Sequence, residues 1–383
     1  MNNERHIVEL KNARAEIFSL PMDGGVSEYH VMVHVTDPAL CFQHQVEALL
    51  DAYDEVIGHY VGGAQSVFKR YFLSDAANQT NTLLANLPES ADCAVSIVQQ
   101  APLDGTKIAL WVYLLTDVKT RNLSDGLYEA AHGAYRHLWT GGNQAMSDNS
   151  EYQTRILLNN YVLKLNEQEC TLADNCIRTW FFVQDIDNNY AGMVKARNEV
   201  FVTQNLTEKT HYIASTGIGG RTADPKMKVQ MDAYSVAGLK PGQIHFLYAL
   251  DHLNRTSDYG VSFERGTYVD YGDRRQVFIS GTASIDDKGQ VLYIGDIVKQ
   301  TERMFENVEC LLREGDMTFH DIGQMTVYLR DIADYAVVKG IFDERFPDMP
   351  KVFVNAPVCR PTWLIEMECM GVKSVRNEGL ADF

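Results

Sequence analysis

The chain repeats one pattern of secondary structure three times, and this repeat constrains its fold more than any other feature of the sequence. The last copy, from about Tyr259 to Val372, predicts a strand, a glycine turn, a long helix, a strand ending in Asp, a helix and two further strands. The run from Arg178 to Ile186 in the middle copy corresponds to the run from Gln324 to Ile332, because both end in Asp-Ile and Tyr-Ala follows soon after. The first copy is more divergent. Three similar units in one chain predict a trimer fused into a single polypeptide.

The repeat divides the chain at about residues 1–118, 119–240 and 241–383. We expect the three units to pack against one another as an intramolecular pseudo-trimer. In the third unit, Asp296 predicts the start of a long helix that ends near Arg313. No Pro-rich or Ser-rich linker separates the units, which predicts that they pack as one body.

The composition excludes some classes of partner. The 383 residues are 45% apolar and 22% charged, which is ordinary for a soluble globular protein. The net charge of -17 argues against nucleic acid as the main partner and disfavours an anionic membrane surface, because both need a positive footprint on the protein. A small anionic substrate stays possible, since a local basic pocket can oppose the global field.

The sequence carries few signals of export or of metal binding. The N-terminal residues show no apolar stretch typical of a secretory signal, and no apolar run approaches the ~18 residues of a membrane span. The cytoplasm is therefore the expected location. The seven cysteines are scattered without CxxC spacing, and the histidines form no cluster. We expect neither a disulfide framework nor a metal site.

Short segments of the third unit match a known family pattern: Phe278–Gly281, Gly295–Thr301, Asn307–Val308, Tyr328–Asp331 and Leu364–Glu368. With these segments the unit resembles the RidA/YjgF superfamily of reactive-intermediate deaminases, also described as endoribonuclease L-PSP-like. The resemblance implies an α+β fold like that of the AroH-type chorismate mutase, in which each unit forms a mixed sheet with helices on one face. The second unit matches the same pattern well, and the first matches it only in the order of its elements.

The second and third units together carry a narrower pattern: Arg178–Trp180, Ser215–Gly220, Ser262–Arg265, Ser280–Ile285 and Val358–Arg360. These segments resemble the chorismatases, which are built from fused RidA-like units. Chorismatases remove pyruvate from chorismate and give a dihydroxycyclohexadiene acid or a hydroxybenzoate. The resemblance implies an enzyme without a cofactor that acts on a small anionic substrate. It leaves open whether the monomeric pseudo-trimer dimerises further.

Glu366 is the strongest candidate for a catalytic residue. It falls where the superfamily places an acidic residue on the last strand, whereas Gln230 and Ala109 take this place in the second and first units. A carboxylic acid half-buried between units would have a raised pKa and could act as a general acid. In a chorismatase-like reaction it would protonate the enolpyruvyl methylene carbon. The structural alternative is a solvated carboxylate in a ladder with Glu368, which lies on the same strand face.

Two further positions on or near the last strands follow from the resemblance. Some chorismatases carry a Cys at the position of Cys359, linked there to formation of 3-hydroxybenzoate, and the alternative is a buried, inert Cys. Lys351 and Phe353 stand where many deaminases of the superfamily carry an Arg and a Cys. Lys does not form the planar bidentate pair that Arg makes, which weakens the deaminase interpretation. Lys351 could still bind an anion, or it could be an exposed strand-edge Lys.

The other candidate residues would bind the substrate. Arg265 and Arg221 could bind the two carboxylates of a dianion, although surface Arg is common. The Gly-rich turn from Ser215 to Gly220 could offer backbone N–H groups to an anion, although Gly also marks any tight turn. The remaining members of the expected binding set are Tyr212, Thr216, Gly219, Ser280, Gly281 and Thr282. Gly281 and Thr282 would form the floor opposite Glu366, or a bulge that needs Gly.

Three functions remain open from the sequence. The first is a chorismatase-type enzyme, the second is a RidA-like enamine or imine deaminase, and the third is a non-catalytic binder of a small carboxylate. Because only the third unit keeps the carboxylate, at Glu366, we expect one working pocket per chain. The second and third units would build most of it, and the first unit would close the pseudo-trimer.

Overall fold

The structure is a computed structural model that describes residues 3–88, 93–124 and 126–383. Three mixed sheets are formed by successive parts of this chain. Each sheet contains one parallel pair of strands, and a helix joins the two strands of each pair. A parallel pair needs such a crossover, so the repeated pattern of the sequence has a direct structural cause.

The first part of the chain forms a sheet with the strand order β1-β2-β3-β7-β4-β5. The helix α2 connects the parallel strands β4 and β5, and α1 packs on the same sheet. The elements are β1 (Glu4–Leu10), β2 (Ala13–Leu20), β3 (Glu28–Val35), α1 (Phe42–His59), β4 (Gln65–Leu73), α2 (Ala76–Asn86), β5 (Ala94–Gln99), β6 (Ala101–Pro102) and β7 (Ile108–Leu115).

The middle part forms a sheet with the strand order β12-β11-β13-β10-β9-β8. The helix α5 connects the parallel strands β11 and β12. The elements are β8 (Lys119–Ser124), β9 (Leu127–His132), β10 (Tyr135–Gln144), α3 (Ser150–Asn166), α4 (Leu172–Asn175), β11 (Cys176–Val183), α5 (Ile186–Thr203), β12 (Ala214–Gly219) and β13 (Val229–Ala237).

The last part forms a sheet with the strand order β14-β15-β16-β19-β17-β18-β6, in which the short strand β6 comes from the first part of the chain. The helix α7 connects the parallel strands β17 and β18. The elements are β14 (Ile244–Leu247), β15 (Gly266–Asp270), β16 (Arg274–Ala283), α6 (Ile297–Glu314), β17 (Ile322–Leu329), α7 (Tyr335–Arg345), β18 (Lys351–Asn355) and β19 (Ile365–Ser374), with 3-10 turns at Thr256–Tyr259, Phe319–Asp321 and Ile332–Asp334.

The predicted helix start at Asp296 is confirmed. Its side chain accepts a hydrogen bond from the backbone N–H of Lys299, which satisfies one of the free donors of the first turn of α6. The buried face of α6 includes Met304, Phe305, Val308 and Leu311, spaced three and four residues apart. This spacing places the apolar stripe against β16 and β19.

The three sheets contact one another in a ring, through β5 and β10, through β12 and β16, and through β17 and β3. One continuous cluster of buried apolar side chains runs through all three, including Trp111, Trp180 and Phe278. The predicted α+β fold of repeated RidA-like units is therefore confirmed. The shared core explains why no linker composition separates the units. No helix within the described parts of the chain is both long and apolar enough to cross a membrane.

The central strands β7, β13 and β19 hold equivalent positions in the three sheets. Ala109 pairs with Phe72, Gln230 with Phe182, and Glu366 with Tyr328 on the neighbouring strand. Glu366 is therefore the one carboxylate among three matching register positions.

Candidate active site

A cavity of about 290 Å³ lies between the second and third sheets. Both sheets and the loops around them contribute to its wall. Its lining residues are Tyr190, Arg197, Ser215, Thr216, Gly217, Tyr259, Val261, Phe263, Arg265, Gly281, Ala283, Ile285, Cys359, Arg360, Trp363 and Glu366. The cavity therefore combines one carboxyl group with three arginines and several aromatic rings.

Glu366 reaches the cavity from the second residue of β19 and is only 5% exposed. It forms no ion pair within the described residues. Burial and the nearby Glu368 carboxylate raise the pKa of Glu366 to about 8, against the opposing effect of Arg178 and Arg265. The Glu366 side chain is therefore a neutral acid near pH 7, and the solvated-ladder alternative is wrong because the group is buried.

Gly281 provides the space into which the Glu366 carboxyl group extends. The pairing of β16 with β19 shifts in register between Ile279 and Thr282, so Gly281 sits in a bulge. A Cβ atom added at Gly281 would lie 2.1 Å from Glu366 Oε1. Glycine is therefore needed here to make room for the carboxyl group.

Arg197 presents a buried cation to the cavity without an anionic partner. It projects from α5, is 1% exposed, and lies near the rings of Phe181 and Phe263 at 5.9 and 5.8 Å. Within the described residues, its Nε and Nη2 atoms have no hydrogen-bond partner, and no carboxylate pairs with it. Burial lowers the pKa of Arg197, which reflects the cost of holding this charge without an anion. An anionic ligand would satisfy the free donors.

Arg265 lies just before β15 and is 4% exposed. Its guanidinium donates to the backbone oxygen of Asn254 at 3.1 and 3.2 Å and to the side-chain oxygen of the same residue at 3.1 Å. No carboxylate pairs with it in the described parts of the chain. Arg360, on the loop before β19, donates to the backbone oxygen of Gly289 and stacks over the ring of Trp363. Arg265 and Arg360 are thus anchored by neutral acceptors and Arg197 lies among aromatic rings, which leaves the charge of all three available to a ligand.

Cys359 lies on the same loop and lines the cavity next to Tyr190. Burial and the Glu366 carboxyl group raise the pKa of the Cys359 thiol to about 12. The thiolate is the nucleophilic form of cysteine, so Cys359 is a weak nucleophile here. Its S–H group can still donate a hydrogen bond or relay a proton.

The second sheet supplies the floor of the cavity at Ser215 and Thr216 of β12. The Thr216 hydroxyl accepts the backbone N–H of Gly281 at 2.9 Å and a guanidinium N–H of Arg178 at 2.5 Å. The backbone N–H of Ser215 donates to the Ser280 hydroxyl at 2.9 Å. These bonds join β12 to β16 and hold the two sheets in register across the site.

Five of the residues predicted from the sequence come together in this cavity, namely Glu366, Cys359, Arg265, Thr216 and Gly281. The others lie elsewhere. Ser280 and Thr282 are buried behind the wall, where their hydroxyls donate to the backbone oxygens of Glu264 and Ser280. They point away because side chains alternate across a strand.

Four predicted binding residues lie outside the cavity, where they pack against other groups. Gly219 lies against Pro357, and Arg221 follows it into a separate groove. Tyr212 packs on the apolar core of the second sheet. Lys351 is buried in a different cleft, between the first and third sheets, where its ammonium donates to the backbone oxygen of Phe346 at 3.0 Å. It is neither an exposed edge residue nor a neighbour of Glu366.

Tyr190 and Arg197 are functional candidates that sequence reasoning missed. They lie seven residues apart on α5 and share one face of the helix, which both present to the cavity. A charged residue in line with an aromatic residue on an otherwise apolar helix face was the available signal. Tyr259, at the end of a short 3-10 turn, and the loop residues Arg360 and Trp363 were missed because these segments have no apolar periodicity.

Comparisons with known proteins agree with this arrangement. Residues 263–373 match the family model of endoribonuclease L-PSP. A 3-hydroxybenzoate synthase from Streptomyces hygroscopicus is 30% identical over 217 residues, which cover 50% of this chain and 62% of that protein. This chain thus matches less than two thirds of that relative's length. A RutC family protein from Pyrococcus abyssi is 33% identical over 99 residues, or 25% of this chain and 78% of the relative.

The fold as a whole also has a counterpart among solved structures. A crystal structure of a chorismatase superposes with a TM-score of 0.65 at 17% identity and covers 82% of this chain and 95% of its own. The match extends well beyond the third unit, so the arrangement of the sheets is shared as well as the single repeat. The chain therefore belongs to the RidA/YjgF superfamily of endoribonuclease L-PSP-like and RutC proteins, and it has the fold of a chorismatase.

Proposed function

We propose that this protein is a chorismatase-type enzyme that releases pyruvate from chorismate or a closely related enolpyruvyl dicarboxylate. The observation that carries the proposal is that one cavity holds both a buried neutral acid, Glu366, and the buried guanidinium of Arg197, whose Nε and Nη2 donors are free in the described residues. A dicarboxylate would supply the missing anions while placing an acid-sensitive vinyl ether near the proton of Glu366. Arg265 and Arg360 offer positions for the second carboxylate.

The chemistry needs a proton at carbon and no cofactor. Glu366 transfers its proton to the methylene carbon of the enolpyruvyl group, and the C=C electron pair forms the new C–H bond. The adjacent carbon becomes an oxocarbenium ion, which the negative charge on Glu366 stabilises. Water adds to this carbon and loses a proton to Glu366. The bond between this carbon and the ring oxygen then breaks as the ring oxygen takes the proton held by Glu366 and stays on the ring as a hydroxyl group. The new hydroxyl on the carbon returns its proton to Glu366, and its O–H electron pair forms the C=O group of pyruvate.

The ring product depends on whether the ring keeps both of its hydroxyl groups after pyruvate leaves. If it keeps them, the product is the dihydroxycyclohexadiene acid. If the ring loses one water molecule, it becomes aromatic and the product is a hydroxybenzoate. Cys359 lies beside Glu366 as a neutral thiol and is positioned to relay a proton during aromatisation. The name of the Streptomyces relative, 3-hydroxybenzoate synthase, supports the second outcome for that protein.

The test is pyruvate release from chorismate by the purified protein, coupled to lactate dehydrogenase. We expect Glu366→Gln to lower the rate by a factor of about 10²–10⁴, the usual contribution of a general acid. Glu129→Gln is the matched control, because Glu129 is also a buried strand glutamate but lies outside the cavity and pairs with Arg121 and Arg136. It should retain wild-type activity.

Two other results would contradict the proposal. Absence of pyruvate together with hydrolysis of an enamine made from serine or threonine would favour the deaminase. Inactivity in both assays, with aromatic acids still raising the melting temperature, would favour a non-catalytic binder. Loss of activity in Glu129→Gln equal to that in Glu366→Gln would assign the effect to folding.

A further inference from the structure

A buried network of four charges lies where the three sheets meet. Arg70 donates to Asp232 through Nε and Nη2 at 3.3 and 2.8 Å, and its Nη1 lies 3.6 Å from Glu368. Arg178 donates to the other oxygen of Glu368 at 2.8 Å. All four side chains are at most 2% exposed. Two guanidinium groups and two carboxylates balance, so the network as a whole is neutral.

Each sheet contributes to this network. Arg70 comes from β4 of the first sheet, Arg178 and Asp232 from β11 and β13 of the second, and Glu368 from β19 of the third. Glu368 also accepts the indole N–H of Trp180 at 2.8 Å. Two guanidinium groups and an indole N–H therefore surround the Glu368 carboxylate in the buried centre of the molecule.

Glu368 is two residues from Glu366 and points to the same face of β19. At the strand rise the two carboxyl groups are separated by roughly 7 Å. The Arg178 guanidinium connects them further, since it bonds both Glu368 and the Thr216 hydroxyl, and this hydroxyl accepts the N–H of Gly281 beside Glu366. A fixed negative charge therefore stands directly behind the candidate acid.

We propose that Glu368 is a positioning residue of the candidate active site, whose charge, held in place by Arg178 and by Arg70 of the first sheet, keeps the proton on Glu366. The inference rests on the proposed function for its catalytic meaning. It also assigns a role to the first part of the chain, whose described residues supply Arg70 but no lining residue of the cavity. Without a cation from the first sheet, Arg178 alone would have to balance both Asp232 and Glu368.

Other charged and titratable groups also face Glu366, and the test must separate their effects. They are Arg178 of β11, Arg265 before β15, Tyr328 of β17 and Cys359 of the preceding loop. The arginines oppose protonation of Glu366, and Glu368 is the anion that favours it. Neutralising Glu368 removes the repulsion and leaves Arg178 without its partner. Both changes act in the same direction, toward ionisation of Glu366.

The experiment is a titration of the glutamate side chains by NMR, with ¹³C at the carboxyl carbon, in the protein without substrate. The signal of Glu366 is assigned by its absence in Glu366→Gln. We expect Glu368→Gln to lower the midpoint of the Glu366 titration by about one to two pH units, the size of a unit charge at this separation in a protein interior. If pyruvate release is observed, the alkaline limb of its pH profile should move down by the same amount.

The matched control is Asp232→Asn, which removes the other buried carboxylate of the same network. It breaks the Arg70 pair and costs comparable stability, but Asp232 does not pair with Arg178 and does not line the cavity. We expect a shift of less than about half a pH unit, because Asp232 is not among the charges that act on Glu366. The conservative variant Glu368→Asp keeps the charge and should keep the wild-type midpoint.

The inference is overturned if Glu368→Gln leaves the Glu366 midpoint unchanged, or if Asp232→Asn moves it as far. If Glu368→Gln does not fold, the comparison of wild type with Glu366→Gln still decides. Because burial also raises the pKa of Glu264, a protonated carboxyl signal at pH 7 that persists in both Glu366→Gln and Glu264→Gln would place the proton on Glu368 and refute the inference. Because the titration needs no substrate, this outcome is distinct from a failure to release pyruvate from chorismate, which would refute the proposed function alone.

Discussion

Two clefts of similar size open between the sheets, and their charged groups are arranged in opposite ways. The cleft between the second and third sheets encloses about 290 Å³ and contains Glu366 and Arg197. The cleft between the first and third sheets encloses about 270 Å³ and contains Glu16, His34 and Lys351. We refer to the latter, defined by these three residues with Arg14 and Asp104, as the paired cleft.

In the paired cleft, each of these charges faces a charge of the opposite sign. His34 lies 3.7 Å from a carboxylate oxygen of Glu16 and 3.7 Å from one of Asp104. Arg14 pairs with Glu16, which also accepts the backbone N–H of Lys351 at 2.9 Å. Burial alone would raise the pKa of Glu16, but its cationic neighbours outweigh burial and lower it to about 2.

The difference follows from the residues at the repeated register position in the two sheets. The first sheet, beside the paired cleft, has Ala109 at this position, and the third sheet has Glu366. The residue paired with Ala109 on the neighbouring strand is His34, whereas the residue paired with Glu366 is Ala283. Charges that satisfy one another stabilise an interface and have little left for a ligand. Buried charges that lack protein partners destabilise the folded protein, and a ligand of opposite charge offsets this cost when it binds. The cleft between the second and third sheets is therefore suited to bind a ligand, and the paired cleft is suited to hold the first and third sheets together.

The largest expected effect is on stability as a function of pH. Burial and the Glu368 carboxylate raise the pKa of Glu366 from its ordinary value of 4.5 to about 8 in the folded protein. Between these values the unfolded chain releases a proton that the folded chain retains, so this group lowers the free energy of unfolding as pH rises. We expect Glu366→Gln to raise the free energy of unfolding by a few kcal/mol at pH 8 and by little at pH 4.5. Urea unfolding at the two pH values measures this.

His34→Gln should give the opposite profile. Burial alone would lower the pKa of His34, but the Asp104 and Glu16 carboxylates raise it from the ordinary value of 6.5 to about 9. The stabilisation is fully present below pH 6.5 and is lost as the pH rises through 9. The variant should therefore be less stable than wild type at pH 6 and should approach it near pH 9. Equal profiles for the two variants would show that the clefts do not differ in this way.

The next effect is on substrate binding. Arg197→Met should raise the KM for chorismate by about 10- to 100-fold, the range for loss of a charged hydrogen bond, with little loss of stability. Arg14→Met removes an arginine from the paired cleft and should leave KM within about twofold while it lowers stability. Steady-state kinetics and urea unfolding give both quantities. An equal rise of KM in both variants would contradict the assignment of the two clefts.

The smallest expected effect concerns Lys351. Burial lowers its pKa, and its ammonium is bonded to Phe346 and faces Asp343 at 3.7 Å, away from Glu366. Lys351→Met should therefore change kcat/KM for pyruvate release by less than about twofold, since no contact reaches the candidate substrate. A loss of tenfold or more would mean that the paired cleft takes part in the reaction.

Much of the fold was readable from the sequence because it depends on local periodicity. The long helix after Asp296 and the strands around Glu366 follow from apolar spacing and capping. The strand pairs β1–β2 and β8–β9 were not predicted, since their burial alternates weakly and they lie at sheet edges. The short strand β6 joins another unit's sheet, which no local pattern indicates.

The threefold repeat, the family and the single carboxylate at Glu366 can be read from the amino-acid sequence, because matching segments and the replacement of a residue in one copy are visible in the order of residues. The residues that surround this carboxylate are known only from the tertiary structure. It brought Arg197 of the second unit to the cavity, moved Lys351 to the paired cleft, and placed Arg70 of the first unit behind Glu368. The physical reason is that the site lies between sheets. The charges that tune its acid come from parts of the chain far apart in sequence, and burial makes their effect large.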